Sequence, residues 1–196
     1  LRAIDLRDFY PDPEPSDFPD LTEAEVPEGP FIALRHRPDT DTPLKNGNKS
    51  ERNVSLSDEV VEVLNDYVNG RRLNVTDAHG REPLFTTQAG RMSRQVAYRN
   101  FVAISRPCVY DNHCPHNRNI DNCEAAQKKK QSFGCPSSES LHPIRRGSIT
   151  YHLNQGWPIE EVSGRCDVSV DVLRKHYDTR TLEDTRNQRK QHLDKL

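Results

Sequence analysis

The amino-acid sequence predicts a mainly helical domain with a small antiparallel β-sheet, an α+β fold. Several segments repeat apolar residues at the spacing of an amphipathic helix, and two short alternating segments flank a turn. The 14 prolines and the 30% of charged residues indicate long loops and a polar surface. At 196 residues the chain is long enough for one domain with a sizeable core.

Two strands are predicted to pair as a hairpin. FIALRHR at 31–37 predicts the first strand, and RNVSL at 52–56 alternates as the returning strand. The Asn-Gly pair at 46–47 is the sharpest turn signal between them. Lys45 and Lys49 are therefore expected near the tip of this hairpin.

Six helices are predicted from apolar periodicity and from capping residues. They begin after Ser57 and Ser93, span 142–155, and begin again near Pro158, after Ser169 and at Thr181. The first is expected to bury Val60, Val63, Leu64, Tyr67 and Val68, and the second Val96, Ala97, Phe101 and Ile104. The opening segment LRAIDLRDFY is interpreted as the end of a helix, so the natural protein is expected to extend beyond Leu1.

The overall charge gives no support to nucleic-acid binding. Net charge is -2, from 28 basic and 30 acidic residues, whereas a basic footprint is the usual sign of such a protein. The acidic residues cluster within 12–28, however, and the basic ones gather at 91–106, 128–130 and 145–146. Any contact with DNA is therefore expected from a local basic patch.

Nothing in the sequence predicts a membrane partner. No apolar run approaches the roughly 20 residues that cross a bilayer. The charged first residues also lack the apolar centre of a secretory signal. We therefore expect a cytoplasmic protein.

Four of the five cysteines fall in the stretch 105–140, which shows no helical or strand period and reads as an insertion. An odd number of cysteines without an export signal argues against a disulfide framework. A structural zinc ion held by thiolates would order such a long loop, although four ordinary thiols in a mobile loop would look the same in sequence. The zinc ligands would be Cys108, Cys114, Cys123 and Cys135, with Cys166 buried elsewhere.

Residues suited to phosphate chemistry appear in the last third of the chain. His142 and Arg145 lie three positions apart at a predicted helix start, where backbone N–H groups and the helix dipole also attract an anion. Tyr177 follows two helices later. A tyrosine near arginine, histidine and a lysine suits phosphoryl transfer through a covalent intermediate. Taken singly, each of these signals has an ordinary explanation. The His142 and Arg145 pair could simply be exposed, Tyr177 could be a core residue, and the lysine could be solvated.

In order and spacing, these segments resemble the catalytic domain of the tyrosine recombinase (phage integrase) family. KNGNKSERNVSL at 45–56 is similar to the family's lysine hairpin, and PLFTTQAGRMS at 83–93 to the stretch before the next helix. HPIRRGSITYHL resembles its H-x-L-R-H helix, and RKHYD its nucleophile segment in an archaeal variant. The resemblance covers nearly the whole chain, with 105–140 as an insertion.

The resemblance implies a role for each matching residue. Tyr177 would be the nucleophile, and Arg145 the second of two catalytic arginines. His142 would contact the scissile phosphate or assist proton transfer. Lys45 would be the general acid, with Lys49 as the alternative. Catalysis in this family needs neither a metal nor a nucleotide cofactor.

The partners implied are double-stranded DNA and, on paired sites, further copies of the chain in a tetramer. Arg146 and the run Lys128, Lys129 and Lys130 are candidate DNA-binding residues, although such a run is also typical of a solvated surface. A DNA partner would place the protein at the nucleoid within the cytoplasm.

Two departures from the family pattern leave other functions open. The first catalytic arginine would fall just before Leu1, so the chain is expected to be an N-terminally truncated catalytic domain. Val168 stands where the family has histidine or tryptophan, with Arg165 or His176 as possible substitutes. The alternatives are a zinc-stabilised DNA-binding protein that has lost catalysis and a topoisomerase-like relative.

Overall fold

The computed structural model describes residues 3–178 and 180–193. The chain forms two compact units, Leu1–Ala97 and Tyr98–Leu196. Helices dominate, and the main sheet is small and antiparallel, so the predicted α+β class is confirmed. Among the described helices, none combines the length and apolar character that a bilayer crossing requires.

The first unit contains the predicted hairpin. Strands β1 (Phe9–Tyr10), β2 (Phe31–Leu34) and β3 (Arg52–Ser55) form an antiparallel sheet in that order, with Phe31 opposite Ser55. Both hairpin strands are shorter than predicted, because residues 35–51 form a long connection with two 3₁₀ turns. Gly47 takes a φ of 65°, which a residue without a side chain adopts readily.

The opening segment is not the end of a helix, and that interpretation was wrong for the residues that the structure describes. Leu6–Asp8 is a single 3₁₀ turn, and β1 follows at once. The turn is fixed by carboxylates, since the backbone N–H of Asp5 donates to the side chain of Asp8 at 2.8 Å. Leu1 and Arg2 lie outside the described residues.

Helix α1 (Asp58–Asp66) begins after Ser57 as predicted and continues into a π-helical turn at Tyr67–Arg71. Of its predicted apolar face, Leu64 is buried, but Val63 is 67% exposed. The buried face of α1 is narrower than the apolar face that its sequence predicts, because the adjoining core is small. That core consists of Ile4, Phe9, Ile32, Leu64 and Leu84.

Strands β4 (Thr86–Thr87) and β5 (Gly90–Arg91) form a second small hairpin, and helix α2 (Arg94–Ile104) follows. The helix begins after Ser93, as predicted. It buries Ala97, Val102 and Ala103, whereas Ile104, expected in the core, is 48% exposed. Small residues therefore form more of the buried face of α2 than the periodicity indicated.

The stretch 105–140 contains two short helices and a 3₁₀ segment. Helix α3 is Pro107–Tyr110, helix α4 is Glu124–Gln127, and the 3₁₀ segment is Lys129–Gly134. None of these is long enough to show an amphipathic period, which explains why sequence periodicity predicted no element here.

Four helices follow, close to the predicted starts. They are α5 (Leu141–Asn154), α6 (Ile159–Cys166), α7 (Val170–His176) and α8 (Leu182–Leu193). The capping pair before α8 is confirmed: the Asp184 N–H donates to Thr181 Oγ1 at 3.1 Å, and the Thr181 N–H donates to the Asp184 carboxylate at 2.8 Å. The core of α5–α7 consists of Ile149, Leu153, Val162, Leu173 and Tyr177.

Candidate functional site

An open groove of about 460 Å³ lies between the start of α5 and the end of α7. Two of the residues predicted from the sequence to be catalytic, His142 and Tyr177, line this groove together. The full lining is His142, Arg146, Val172, Lys175, His176 and Tyr177. A groove with this lining can accept an extended anion.

Helical spacing places the basic residues on the groove. His142 and Arg146 lie four positions apart, so they share one face of α5. Val172, Lys175 and His176 share a face of α7 for the same reason. Both helices are held in place by buried apolar side chains, Ile149 on α5 and Leu173 on α7.

Tyr177 is anchored where α7 ends. Its backbone N–H donates to the Leu173 carbonyl at 2.9 Å, and its own carbonyl accepts a hydrogen bond from Thr150 Oγ1 at 3.2 Å. The residue is only 9% exposed and packs in the core of the three helices while also lining the groove. Its position is therefore well fixed relative to His142.

The groove carries uncompensated positive charge. Among the residues that the structure describes, no acidic side chain lines it. Asp178 follows Tyr177 directly, but its carboxylate accepts two hydrogen bonds from the Arg180 guanidinium, at 2.7 and 2.6 Å. That guanidinium lowers the pKa of Asp178 and neutralises its charge.

Arg145 does not line the groove. Its Nη2 donates to the Cys166 carbonyl at 2.6 Å, so it connects α5 to the end of α6. The neighbouring Arg146 lines the groove instead. A guanidinium has five N–H donors, and one bond to a carbonyl leaves others for a second acceptor.

Val168, where the resemblance leads us to expect histidine or tryptophan, packs against the core of α5–α7. Of the two proposed substitutes, Arg165 lies over the Trp157 ring, 5.8 Å from its centroid. His176 lines the groove. Of these two residues, only His176 is therefore among the described residues that line the groove.

Lys45 and Lys49 belong to the first unit, on the connection between β2 and β3, and both are exposed. Next to Lys45, the Leu44 backbone N–H donates to His36 Nδ1 at 2.9 Å. The backbone N–H of His36 donates to the Glu51 carboxylate at 2.7 Å. These bonds tie the base of the connection together beneath the two lysines.

The four clustered cysteines all line one small cavity within 105–140. His116 also lines it, whereas His113 is exposed and does not. Across the described ranges, no group of three or more His, Cys, Asp or Glu side chains is arranged to hold a metal ion in this conformation. The backbone N–H of Ala126 lowers the pKa of Cys123.

The lysine run in the insertion is exposed. Lys128 Nζ is 2.7 Å from a Glu124 carboxylate oxygen, one helical turn away. Within the described part of the chain, no carboxylate lies within ion-pair distance of Lys129 or Lys130. Only these two therefore present unneutralised charge.

Sequence reasoning missed Lys175 as a groove residue. A signal for it was present, because Val172 and Lys175 lie three positions apart on one face of the short helix that ends just before Tyr177. The family resemblance drew attention to single motif positions, whereas the helical spacing around Tyr177 indicates a whole basic surface.

Comparison with known proteins adds no identification: no protein-family model, no curated protein and no solved structure matches this chain.

Proposed function

We propose that this chain is the catalytic domain of a tyrosine-type site-specific DNA recombinase, which cuts and rejoins DNA strands through a 3′-phosphotyrosyl intermediate. The observation that carries the proposal is the groove that holds Tyr177 together with His142, Arg146, Lys175 and His176. Among the described residues, no acidic side chain lines it. A phosphodiester is the kind of anion that such a basic surface binds. The order of motifs along the chain points to the same function.

In the proposed reaction, the Tyr177 hydroxyl attacks the scissile phosphorus and the bond from phosphorus to the 5′ oxygen breaks. His142 accepts the phenolic proton, and Lys45 protonates the leaving 5′ oxygen. Arg145, by the family resemblance, stabilises the charge on the non-bridging oxygens. Rejoining is the reverse, with a 5′ hydroxyl attacking the phosphotyrosyl ester.

One observation favours a second candidate, a DNA-binding protein without catalysis. Tyr177 is 91% buried among apolar side chains, which is also the environment of an ordinary core tyrosine. The basic groove would then bind the phosphate backbone, and Tyr177 would only hold α7 in place. The two candidates predict the same DNA binding and different covalent chemistry.

A covalent-trapping experiment separates them. The full-length protein is incubated with nicked suicide substrates bearing its recombination site, and adducts are resolved on denaturing gels. Tyr177→Phe should abolish the adduct and keep DNA affinity, while Tyr151→Phe, a change to an exposed tyrosine on α5, should leave both intact. An adduct that persists in Tyr177→Phe contradicts the assigned nucleophile, and a wild-type protein that binds without any adduct supports the second candidate.

The topoisomerase-like alternative is tested with the same protein. Relaxation of supercoiled plasmid without any dependence on a particular site would indicate it. Exchange of strands between two copies of one site would indicate a recombinase, and the family resemblance then implies a tetramer on the paired sites.

Lys45, rather than Lys49, should be the general acid. A substrate whose leaving oxygen is replaced by sulfur needs no protonation, so it should restore cleavage to Lys45→Ala. Lys49→Ala serves as the matched control, because it removes a second exposed lysine from the same connection. Selective rescue of Lys49→Ala would reverse the assignment.

A further inference from the structure

The stretch 105–140 contains four thiols that come from four different places in the chain and meet at one cavity. Cys108 lies in α3, Cys123 is the N-terminal cap of α4, and Cys135 directly follows the 3₁₀ segment. Cys114 lies in the loop between α3 and α4. All four line the cavity, although up to 27 positions separate them in sequence.

The cavity has the size of a single ion. Its volume of about 10 Å³ is close to the roughly 10–15 Å³ that one water molecule requires. An organic ligand does not fit. His116, Arg118 and the apolar side chains of Ile120, Ala125 and Ala126 also line the cavity, and the four cysteines are partly buried.

A buried cation on the same cavity points to an anionic centre. Arg106 is 7% exposed and lines the cavity, and its guanidinium donates only to the backbone carbonyls of Ala103 and Ala125. In the described ranges, no carboxylate lies within ion-pair distance of it. A guanidinium buried without a counter-charge is costly, so a negative group is expected beside it.

We propose that Cys108, Cys114, Cys123 and Cys135 bind one structural zinc ion as thiolates, and that Arg106 is the counter-charge of this centre. Four thiols release four protons on binding, and four thiolates around Zn²⁺ carry a net charge of about -2. The positive charge of Arg106 offsets half of it. The proposal concerns the fold of the insertion and holds whether or not Tyr177 is catalytic.

The proposed ligands are the four thiolates rather than the two nearby histidines, because four thiolates complete a tetrahedral set. His116 Nε2 is 3.0 Å from Ser137 Oγ, which leaves its Nδ1 as the nitrogen that could reach a metal ion. His113 is exposed and off the cavity. Among the described residues no such group of ligands is already arranged around an ion, so binding would require the four sulfur atoms to move to the roughly 2.3 Å of a zinc–thiolate bond.

Such a centre would hold together the short elements of the insertion. None of α3, α4 or the 3₁₀ segment has enough apolar surface to fold alone, because each is six residues or shorter. A structural zinc ion contributes folding free energy directly. Removal of the ion should therefore unfold 105–140 and leave the core of α5–α7 in place.

Elemental analysis of the full-length protein, purified without added metal, tests the proposal. We expect close to one zinc ion per chain, and a loss of most of it in Cys114→Ser and Cys123→Ser. Cys166→Ser is the matched control, since this cysteine packs against the other core and should not affect metal content. A zinc content near zero, or iron in place of zinc, would overturn the proposal.

A spectroscopic test keeps the ligand set falsifiable where a cysteine variant fails to fold. The wild-type protein is refolded with Co²⁺, and the intensity of the thiolate-to-cobalt absorption is compared with that of His116→Ala. Unchanged absorption in His116→Ala supports four thiolates. A clear drop would mean that His116 is a ligand and that the proposed set is wrong.

The role of Arg106 is tested by metal affinity. Arg106→Gln should weaken zinc binding by about 10- to 100-fold, the usual effect of removing a partner of the ligands. Arg99→Gln, an exposed arginine on α2, is the control and should bind zinc normally. Equal affinities for wild type and Arg106→Gln would exclude Arg106 as the counter-charge.

Discussion

Charged side chains have opposite surroundings in two regions of this protein, the ionic network of the first unit and the groove beside Tyr177 in the second. In the first unit, three arginines are matched by three buried or nearly buried aspartates. The members of this ionic network are Asp5, Asp8, Asp77, Arg37, Arg81 and Arg91. In the second unit, the groove beside Tyr177 has four basic or titratable side chains and, among the described residues, no acidic one.

The network is built for stability. Asp5 is 1% exposed, and its carboxylate lies close to Arg91 and 3.3 Å from Arg37. Asp77 accepts hydrogen bonds from Arg81 and Arg91, each at 2.8 Å. Each charge has its partner within the fold, so the network leaves no charge for a ligand. Among the described residues the groove leaves its charge unmatched, and this difference supports the proposal that the groove binds an anionic ligand.

The largest expected effect comes from removing the centre of the network. Asp5→Ala leaves Arg37 and Arg91 short of a partner in a buried position, and should lower the free energy of unfolding by about 3–5 kcal/mol. Chemical denaturation followed by circular dichroism measures it. Asp12→Ala, at an exposed aspartate, should change stability by less than about 0.5 kcal/mol. A similarly small change for Asp5→Ala would mean that the network is not structural.

Acid should weaken the same network. Burial of Asp77 opposes its ionisation, but hydrogen bonds from the Arg81 backbone and from the guanidinium groups of Arg91 and Arg81 outweigh it and hold the pKa well below its usual range. A lowered pKa stabilises the folded state above the ordinary value near 3.9, and this contribution is lost as pH falls below it. By about pH 3 the loss should be on the order of 1 kcal/mol.

Unfolding measured from about pH 6 to about pH 3, on both sides of the ordinary aspartate pKa near 3.9, checks this expectation. Wild-type stability should fall through the lower half of that range, and Asp77→Asn should show a flatter profile. Superimposable profiles for the two proteins would contradict the assignment to Asp77.

The groove should respond to substitution in binding rather than in stability. Arg146→Gln and Lys175→Gln should each weaken DNA binding by up to roughly tenfold and reduce the slope of log affinity against log salt by about 0.9. Their unfolding free energies should change by less than about 0.5 kcal/mol. Fluorescence anisotropy over a salt series measures both quantities. Arg186→Gln, whose arginine is already paired with Glu183, should keep the wild-type slope.

Much of the fold could be predicted from sequence. The hairpin of β2 and β3 and the starts of α5–α8 follow from alternation, capping residues and helical period, which are local signals. The ionic network could not be predicted, because it joins Asp5, Arg37 and Asp77 across long sequence separations. For the same reason the opening segment was misread: its conformation depends on distant arginines, not on its own periodicity.

The site was predictable in part. His142 and Tyr177 were nominated from motif order, and both line the groove. Their neighbours Arg146 and Lys175 follow from helical spacing once the helices are placed. The orientation of Arg145 toward the Cys166 carbonyl depends on how α5 packs against α6, a tertiary contact that no local pattern encodes.

The smallest expected effect tests the contrast between paired and unpaired charge in two adjacent lysines, Lys128 and Lys129. Lys128 is paired with Glu124, whereas Lys129 has no carboxylate partner in the described part of the chain. Lys129→Gln should therefore reduce DNA affinity by a few-fold and the salt slope by up to about 0.9. Lys128→Gln should have less effect, because DNA must first compete with Glu124. Anisotropy titrations of both variants measure the difference. A larger loss for Lys128→Gln would show that an exposed ion pair, which contributes little free energy in water, does not restrain a lysine from contacting phosphate.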